Sequence, residues 1–339
     1  MGMATIQDVA KKAQVGVGTV SRVLSGNGYV KEETKVRVEQ AIKELNYTPN
    51  QMARNLFFKK TGLVAVIVPY NSHPFFAEFI DAAAEELSKY DYSIMVCSTE
   101  NELKQEEKYM EMLRRSMVDG VIFGAHKLAK KKYQEVDRPI VSLDRNLGKK
   151  IPCVAVDHIM AGRRAAEILI QGGCKYVVQV MGSPELKYEV LSPSEDRHTE
   201  FARVMRERGI PCRNVCFDSN SFYFHSLQDT VKKLMEEYDG WDGFFGTDLL
   251  AMYCVKYAQE RGLRIPEDIQ VVSVDGTNTT TVCYPEITSI VQPIGELAKE
   301  CVRQMMLLIQ GKREEASDVV LDIEVKIGST TKQPVGNPF

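Results

Sequence analysis

Residues 5–24, TIQDVAKKAQVGVGTVSRVL, decide how the first part of this chain folds. Thr5 stands three residues before Asp8, which is the spacing of a capping box, so we predict a helix directly after Thr5. The break at Gln14-Val15-Gly16 separates this helix from a second one, and a third is predicted from about Glu32 to Leu45. Two short helices joined by a glycine-containing turn, with a third bracing them, form a helix-turn-helix unit.

The apolar residues of these helices recur on one face. The predicted inward positions are Ile6, Val9, Ala10, Ala13, Val20, Val23, Leu24, Val38, Ile42 and Leu45. The outward positions of the second helix are Val17, Gly18, Ser21 and Arg22. A helix fits the major groove of B-DNA, where each base pair shows a distinct donor and acceptor pattern. The outward face is therefore predicted to read bases, with Arg22 suited to a bidentate contact with guanine.

The distribution of charge agrees with this prediction. Residues 1–60 carry ten Lys/Arg and five Asp/Glu, a net charge of +5, whereas the rest of the chain carries −8. A basic segment on an acidic body indicates a polyanionic partner for the first part alone. A solvated surface is the alternative that charge alone leaves open.

A second motif competes for the same residues. Gly16-Val17-Gly18-Thr19-Val20-Ser21 superficially resembles a dinucleotide-binding glycine loop. That loop must follow a strand, whereas this one follows an amphipathic helix, and Ser21 replaces the third glycine. The helix-turn-helix interpretation is therefore favoured.

The strings TIQDVA (5–10), VGVGTVSRVL (15–24) and AIKELNYTPN (41–50) resemble the headpiece of the LacI/GalR family of transcription regulators. The resemblance implies a set of DNA-binding residues: Ile6, Val17, Gly18, Thr19, Ser21, Arg22, Tyr47, Asn50, Arg54 and Leu56. In this set Val17, Gly18 and Arg22 occupy base-reading positions, and Tyr47 and Asn50 contact the backbone. The chain departs from the family at Gly16, where a serine commonly caps the recognition helix, and at Gly18, where a side chain usually reads a base.

Residues 50–61 form a short segment of good helix formers without a strong apolar stripe, too short to hold a helix alone in water. The resemblance implies a hinge helix that orders on operator DNA and pairs with its twin across a homodimer. It also implies that Leu56 is wedged into the minor groove at the centre of a palindromic operator. Packing of Leu56 on the following domain is the alternative.

From Leu63 onward, the pattern alternates between strand and helix. Strands are predicted at 63–69, 92–97, 120–123, 140–143, 153–156, 176–181, 215–217, 243–246 and 269–274, and helices at 76–90, 105–118, 161–171, 198–208, 249–261 and 294–309. Such alternation builds doubly wound parallel sheets, and two runs of it predict two α/β lobes with a ligand at the carboxyl ends of the strands.

The resemblance continues through this body. The segments VDGVI (118–122), IPEDI (265–269), VDGT (274–277) and TSIVQP (288–293) resemble the family's periplasmic-binding-protein-like core, and LDRNL (143–147) resembles sucrose operon repressors within it. The implied effector-binding residues are Tyr70, Phe75, Asp144, Arg197, Phe222, Asp248, Asp275 and Gln292. Carboxylates and a guanidinium bind hydroxyls, and aromatic rings cover the C–H faces of a sugar, so a sugar or sugar phosphate is expected.

These elements predict the domain organisation. A headpiece covers residues 1–49, a hinge 50–61, an effector-binding and dimerisation body 62–332, and a tail 333–339. Within the body, one lobe is predicted from 62–157 plus 292–321, and the other from 158–291 plus 322–332.

Other classes of protein are disfavoured. The five histidines lie in different segments without a motif that links them to a nucleophile, and the eight cysteines are scattered, so we predict no enzyme, metal or cofactor. The chain shows no secretory signal and no apolar run long enough to span a bilayer, which predicts a cytoplasmic protein without a membrane partner. Two alternatives remain: a regulator of the same family controlled by a phosphorylated corepressor protein, and a sugar-binding protein without DNA function.

Overall fold

The computed structural model describes residues 4–25, 28–47, 60–100, 102–125, 127–182, 193–217 and 224–332. Its contacts divide the chain into two compact units, Met1–Thr61 and Gly62–Phe339. The first unit is the headpiece with the segment that follows it, and the second is the body.

The headpiece consists of helices α1 (Ile6–Ala13), α2 (Val17–Ser25) and α3 (Glu32–Glu44). The predicted capping box is confirmed: the Thr5 hydroxyl accepts from the Asp8 backbone N–H at 3.3 Å, and the Asp8 carboxylate accepts from the Thr5 backbone N–H at 2.8 Å. These two bonds satisfy backbone donors that a helix otherwise leaves unpaired at its first turn.

The inward faces predicted for the three helices form the core of the headpiece. Val9, Val20 and Val38, one from each helix, are fully buried, and Ala10, Ala13 and Ala41 fill the space between them. Half-buried apolar side chains close this small core: Ile6, Val15, Val23, Leu24, Ile42, Leu45 and Tyr47.

The first lobe of the body contains a parallel sheet with helices packed on it. Its elements are β1 (Leu63–Val68), α4 (Pro74–Ser88), β2 (Ser93–Ser98), α5 (Leu103–Arg114), β3 (Gly120–Phe123), α6 (Lys130–Gln134), β4 (Ile140–Leu143) and β5 (Cys153–Val156). The second lobe contains α7 (His158–Gln171), β6 (Val177–Gly182), α8 (Pro193–Glu207), β7 (Cys212–Phe217), α9 (Phe224–Glu236), β8 (Gly243–Thr247), α10 (Asp248–Glu260), β9 (Gln270–Asp275), α11 (Thr279–Val282) and β10 (Thr288–Val291).

The end of the chain contributes to both lobes. Its elements are α12 (Ile294–Ile309), a 3₁₀ turn (Arg313–Glu315), β11 (Val319–Leu321) and β12 (Glu324–Lys326). The first sheet has the order β11-β5-β4-β3-β1-β2 and the second β12-β10-β9-β8-β6-β7. The described chain therefore passes between the lobes after β5, after β10 and after β11. These passages bring residues 157–158, 292–293 and 322–323 to the junction of the lobes.

The sheet pattern departs from the prediction in two respects: one strand pairing is antiparallel, and strands β10, β11 and β12 were not predicted. All described pairings of the first sheet are parallel, but β12 runs antiparallel to β10 at the edge of the second. Strands β10 to β12 have three or four residues each, too few for a period-two pattern to mark them in the sequence. Among the described residues, no helix has the length and apolar character needed to cross a membrane.

Candidate functional site

The outward face of α2 is the candidate DNA-binding surface of the headpiece. Gly18, Ser21 and Arg22 are exposed, and the Val17 side chain is 43% exposed although it is apolar. Thr19 is half-buried. The predicted contact residues of the second helix therefore share the side of α2 that does not pack on the core.

Outside α2, the predicted DNA contacts that the structure describes do not share its exposure. Ile6 and Tyr47 are half-buried against the headpiece core, so each presents only part of its side chain to solvent. Asn50, Arg54 and Leu56 lie outside the described residues.

In the body, polar side chains from several elements meet at the junction of the lobes. Asp144 directly follows β4 of the first lobe, and Asp275 ends β9 of the second. Arg197, from α8, places Nη1 3.8 Å from Oδ1 of Asp275, and both side chains are buried. The carboxyl ends of parallel strands thus meet at a charged cluster, as expected for a ligand site in this fold class.

Gln292 holds Asp275 in place. Its side-chain Nε2 donates to Oδ1 of Asp275 at 2.8 Å, and its backbone N–H donates to the Asp275 carbonyl at 3.0 Å. Asp275 has a φ of 114°, in the left-handed region that non-glycine residues rarely adopt. A strained residue of this kind persists only where its surroundings fix it, and such residues concentrate at functional sites.

His158 joins this cluster, although no motif in the sequence assigns it a binding role. It is the first residue of α7, it is buried, and its Nε2 lies 3.0 Å from Oδ1 of Asp144. The available signal was its position directly after a strand that ends at the junction of the lobes. We refer to Asp144, His158, Arg197, Asp275 and Gln292 as the cleft cluster.

Apart from Nε2 of His158 and Oδ1 of Asp144, which lie 3.0 Å from each other, three polar atoms of the cleft cluster are buried and have no hydrogen-bond partner among the described residues. They are Nε of Arg197, Nδ1 of His158 and Oε1 of Gln292. Buried polar groups are normally hydrogen-bonded, because an unpaired one retains its full desolvation cost. A polar ligand with both hydrogen-bond donors and acceptors would match these three atoms.

Burial and nearby charges shift the pKa values of ionisable side chains in the cleft cluster and beside it. Burial raises the pKa of Asp275, and the Arg197 guanidinium opposes the rise. Burial also acts to raise the pKa of Asp144, but attraction to His158 and Arg197 outweighs it, so this pKa is lowered. Burial, followed by repulsion from Arg197, lowers the pKa of His73 to about 4, so His73 is neutral at pH 7.

Asp248 supports the turn after β9. Its carboxylate accepts from the Gly276 backbone N–H at 3.2 Å, and from the backbone N–H and hydroxyl of Thr277 at 2.7 and 2.6 Å. Burial and repulsion from Asp275 raise its pKa. Both carboxylate oxygens of Asp248 are therefore bonded to Gly276 and Thr277, the two residues after Asp275. Asp248 thus fixes the conformation of the backbone next to Asp275.

The predicted aromatic wall is only partly accounted for. The Tyr70 hydroxyl donates to the Glu100 carbonyl at 3.0 Å, and Phe75 belongs to the apolar core of the first lobe. Phe76 packs edge-on against His73 at 5.7 Å between ring centroids, and Phe222 lies outside the described residues. No group of three or more His, Cys, Asp or Glu among the described residues could hold a metal ion.

A headpiece with an exposed second helix, followed by a two-lobed body, defines the class of DNA-binding transcription regulators. Two family models agree: residues 5–50 match "Bacterial regulatory proteins, lacI family", and residues 166–331 match "Periplasmic binding protein-like domain". The chain belongs to the LacI family of transcriptional regulators.

Curated relatives extend over nearly the whole chain. The ribose operon repressor of Halalkalibacterium halodurans is 35% identical over 331 residues, which cover 97% of this chain and 98% of that protein. The sucrose operon repressor of Streptococcus mutans is 32% identical over 334 residues, covering 97% and 99%. A solved complex of the transcriptional regulator CelR with cellobiose superposes with a TM-score of 0.68 at 25% identity and covers 96% of this chain and 99% of that one.

Proposed function

We propose that this regulator is a repressor of carbohydrate-utilisation genes, controlled by a sugar bound between the two lobes of its body. The observation that carries this proposal is the cleft cluster, in which the buried Arg197 and Asp275 accompany three buried polar atoms without partners among the described residues. Two relatives are named as repressors of sugar operons, and a third was solved with a disaccharide.

A sugar hydroxyl suits each unpartnered atom. A hydroxyl is both donor and acceptor, so it accepts from Nε of Arg197 and donates to Oε1 of Gln292. The carboxylates of Asp144 and Asp275 accept from further hydroxyls in charge-assisted bonds, which are stronger than neutral ones. Asp144, His158, Arg197, Asp275 and Gln292 are the proposed polar contacts.

An uncharged sugar fits this cluster better than a sugar phosphate. Arg197 already lies 3.8 Å from Asp275, and a second carboxylate, Asp144, stands at the same junction. The two carboxylates leave no excess positive charge around Arg197, even with His158 beside Asp144, so a phosphate dianion brought here would gain no net attraction. The proposed effector class is therefore a neutral mono- or disaccharide.

On the DNA side, we propose that α2 enters the major groove of a palindromic operator, which a homodimer binds in the cytoplasm. Val17, Gly18, Thr19, Ser21 and Arg22 supply the proposed contacts of α2. Contacts to phosphates by basic residues of the headpiece fix its position on the duplex. Closure of the lobes around the sugar then controls whether the two headpieces bind together.

Isothermal titration calorimetry of the full-length chain tests the sugar. The panel contains ribose, sucrose and fructose, followed by ribose 5-phosphate, sucrose 6-phosphate and fructose 6-phosphate, and then a broader panel of neutral sugars. We expect heat from at least one neutral sugar and none from its phosphate. Binding of the phosphates alone contradicts the neutral-sugar assignment, and a response only to a phosphorylated protein supports the corepressor alternative.

A further inference from the structure

Arg197 of the cleft cluster lies on a backbone segment that contacts both α7 and β6. Arg197 and His198 are consecutive buried residues of α8. α7 meets this segment at its backbone, and β6 binds it through a side-chain amide. The position of the guanidinium in the cleft therefore depends on how these three elements fit together.

Gly162 lets α7 lie directly against the backbone of Arg197. A Cβ built on Gly162 would lie 2.0 Å from the Arg197 carbonyl oxygen and 2.9 Å from its Cα, so any other residue here would push α8 away from α7. The spacing of these two helices matters for the cleft cluster, because α7 begins with His158 and α8 carries Arg197.

An ion pair beside Gly162 holds the two helices together. Nη2 of Arg163, on α7, lies 2.9 Å from Oε1 of Glu200, on α8, and Nε of Arg163 donates to the same oxygen at 3.0 Å. Glu200 is buried, and Arg203 pairs with it from within α8. The close approach at Gly162 is thus maintained by a charge pair that spans both helices.

Gln179, in β6, fixes the residue after Arg197. Its Nε2 donates to the His198 carbonyl at 3.1 Å, and its Oε1 lies 3.0 Å from Nδ1 of His198. The same Nε2 donates to Oδ1 of Asn214 at 2.9 Å, so the Gln179 amide is itself held in place. Burial, followed by repulsion from Arg197, lowers the pKa of His198, so its ring is neutral at pH 7 and adds no charge beside Arg197.

We infer that Gly162 and Gln179 are positioning residues of the effector site: together they fix the backbone of Arg197 and His198, and so place the Arg197 guanidinium near Asp275 before the sugar binds. The inference rests on the proposed function, in which Arg197 contacts the sugar. A binding group that is already in place loses little freedom when the ligand arrives, and its hydrogen bonds keep their geometry.

A purely structural role in the second lobe is the alternative, and two residues of that lobe serve as matched controls. A Cβ at Gly328 would lie 2.3 Å from the Glu286 carbonyl oxygen. Gln270 is buried, donates to the Gly172 carbonyl at 2.9 Å, and starts β9 at the end opposite to Asp275. Gly328 and Gln270 thus make the same kinds of contact outside α7, α8 and the cleft cluster.

The experiment compares full-length Gly162→Ala and Gln179→Met with the controls Gly328→Ala and Gln270→Met. Methionine keeps the length of glutamine and removes its hydrogen bonds. Calorimetry with a neutral sugar that binds the wild type gives the sugar affinity, and thermal midpoints without sugar give the structural cost of each change.

We expect sugar affinity to fall at least about tenfold in Gly162→Ala and about three- to tenfold in Gln179→Met, because the hydrogen bonds of Arg197 are then made with poorer geometry. The two controls should also lower the thermal midpoint. Their sugar affinity should nevertheless stay within about twofold of the wild type, since neither contact reaches Arg197.

A double-mutant cycle separates an effect through Arg197 from general damage. The Arg197 carbonyl remains in Arg197→Ala, so the overlap with a Cβ at position 162 persists in that background. Gly162→Ala added to Arg197→Ala should lower the thermal midpoint further but weaken sugar binding by no more than about twofold. Gln179→Met should behave in the same way.

Two failures are distinguishable. If the wild-type chain binds no sugar of the panel, the proposed function fails. If the wild type binds a sugar and Gly162→Ala and Gln179→Met keep their affinity as the controls do, or lose the same factor in the Arg197→Ala background, the inference is overturned and the function stands. If Gly162→Ala does not fold, Gln179→Met decides the outcome.

Discussion

The backbone N–H of Asn278 donates to the Glu78 carboxylate at 2.8 Å, between residues that lie 200 positions apart in the sequence. Glu78 belongs to α4 of the first lobe, and Asn278 follows β9 of the second. The Asn278 turn is the one that Asp248 holds through Gly276 and Thr277, next to Asp275. The bond therefore ties the first lobe to the backbone that carries an acid of the cleft cluster.

Glu78→Ala removes this bond between the lobes and should weaken binding of the effector. A hydrogen bond to a charged group contributes about 1.5–3 kcal/mol, and solvent exposure at this position places the effect at the lower end. We expect about a tenfold loss of sugar affinity in calorimetry, because closure of the lobes loses one stabilising contact.

The matched control for this prediction is Glu85→Ala. Glu85 is an exposed carboxylate on the same helix. Its removal should leave sugar affinity within about twofold of the wild type, since surface substitutions away from contacts have small effects. Equal losses in both variants would show that charge on α4, rather than the bond to Asn278, is responsible.

Arg197→Ala should uncouple the body from the headpiece. The change leaves the buried Asp275 without its cation and removes the buried guanidinium donors of the cleft cluster. Sugar affinity should fall by about 100-fold or more, since two or more charge-assisted bonds are lost. Operator affinity without sugar should stay near the wild-type value, so the regulator no longer responds to the sugar in a DNA-release assay.

Arg203→Ala is the control on the same helix. Arg203 pairs with the buried Glu200 and the exposed Glu207, both on α8, and neither acid belongs to the cleft cluster. Its loss should leave the sugar response intact, because Glu200 keeps its ion pair with Arg163 and Arg203 itself is partly exposed to solvent. A wild-type sugar response in Arg197→Ala would refute the assigned role of the cleft cluster.

DNA binding should depend steeply on salt. Each phosphate contact releases about one counterion, so the logarithm of operator affinity should fall linearly as the logarithm of salt concentration rises. Arg22→Ala should weaken operator binding by about 1–3 kcal/mol at fixed salt with little change in the slope, since its proposed contact is a base. A flat salt dependence of the wild-type chain would argue against binding through phosphates.

The buried Glu106 predicts a pH dependence of stability. It is fully buried, and it accepts from the Tyr133 hydroxyl and from the Lys127 backbone N–H. Burial raises its pKa to about 7, and these hydrogen bonds oppose the rise. The folded chain therefore holds a proton that the unfolded chain releases near pH 4.5, and this contribution to stability decreases as the pH rises from about 4.5 to 7.

Glu106→Gln removes that titration. At each pH, the thermal midpoint of the wild type is compared with that of Glu106→Gln. This difference should decrease as the pH rises from about 4.5 to 7, and the corresponding loss in the free energy of unfolding is at most about 3 kcal/mol. Differential scanning calorimetry between pH 5 and pH 8 measures the difference. A constant difference would mean that Glu106 has an ordinary pKa in the folded chain.

Local signals in the sequence predicted the headpiece well. The Thr5–Asp8 capping box, the burial of Val9, Val20 and Val38, and the exposure of Arg22 all followed from spacings of three or four residues. Such spacings fix which side chains meet within one or two turns of a helix, whatever the rest of the chain does.

The composition of the cleft could be predicted only in part. The resemblance pointed to Arg197 and Asp275, which the structure places 3.8 Å apart. Phe75 packs in the apolar core of the first lobe, and its predicted contact with the effector stays a prediction, because an aromatic residue at the start of a helix suits either role by sequence alone. His158 lies at the exit of a predicted strand, a position that favours a structural role, and nothing local to it in the sequence indicates Asp144.

The sequence by itself determined the three helices of the headpiece, the alternation of strands and helices in the body, and the basic charge of the first sixty residues. Only the tertiary structure decided that His158 meets Asp144, that Gln292 holds Asp275, and that Glu78 binds Asn278. The physical reason is the separation of the interacting residues along the sequence. Periodicity and capping act between neighbours along the chain, whereas these contacts depend on the order of strands in two sheets and on the three passages between them.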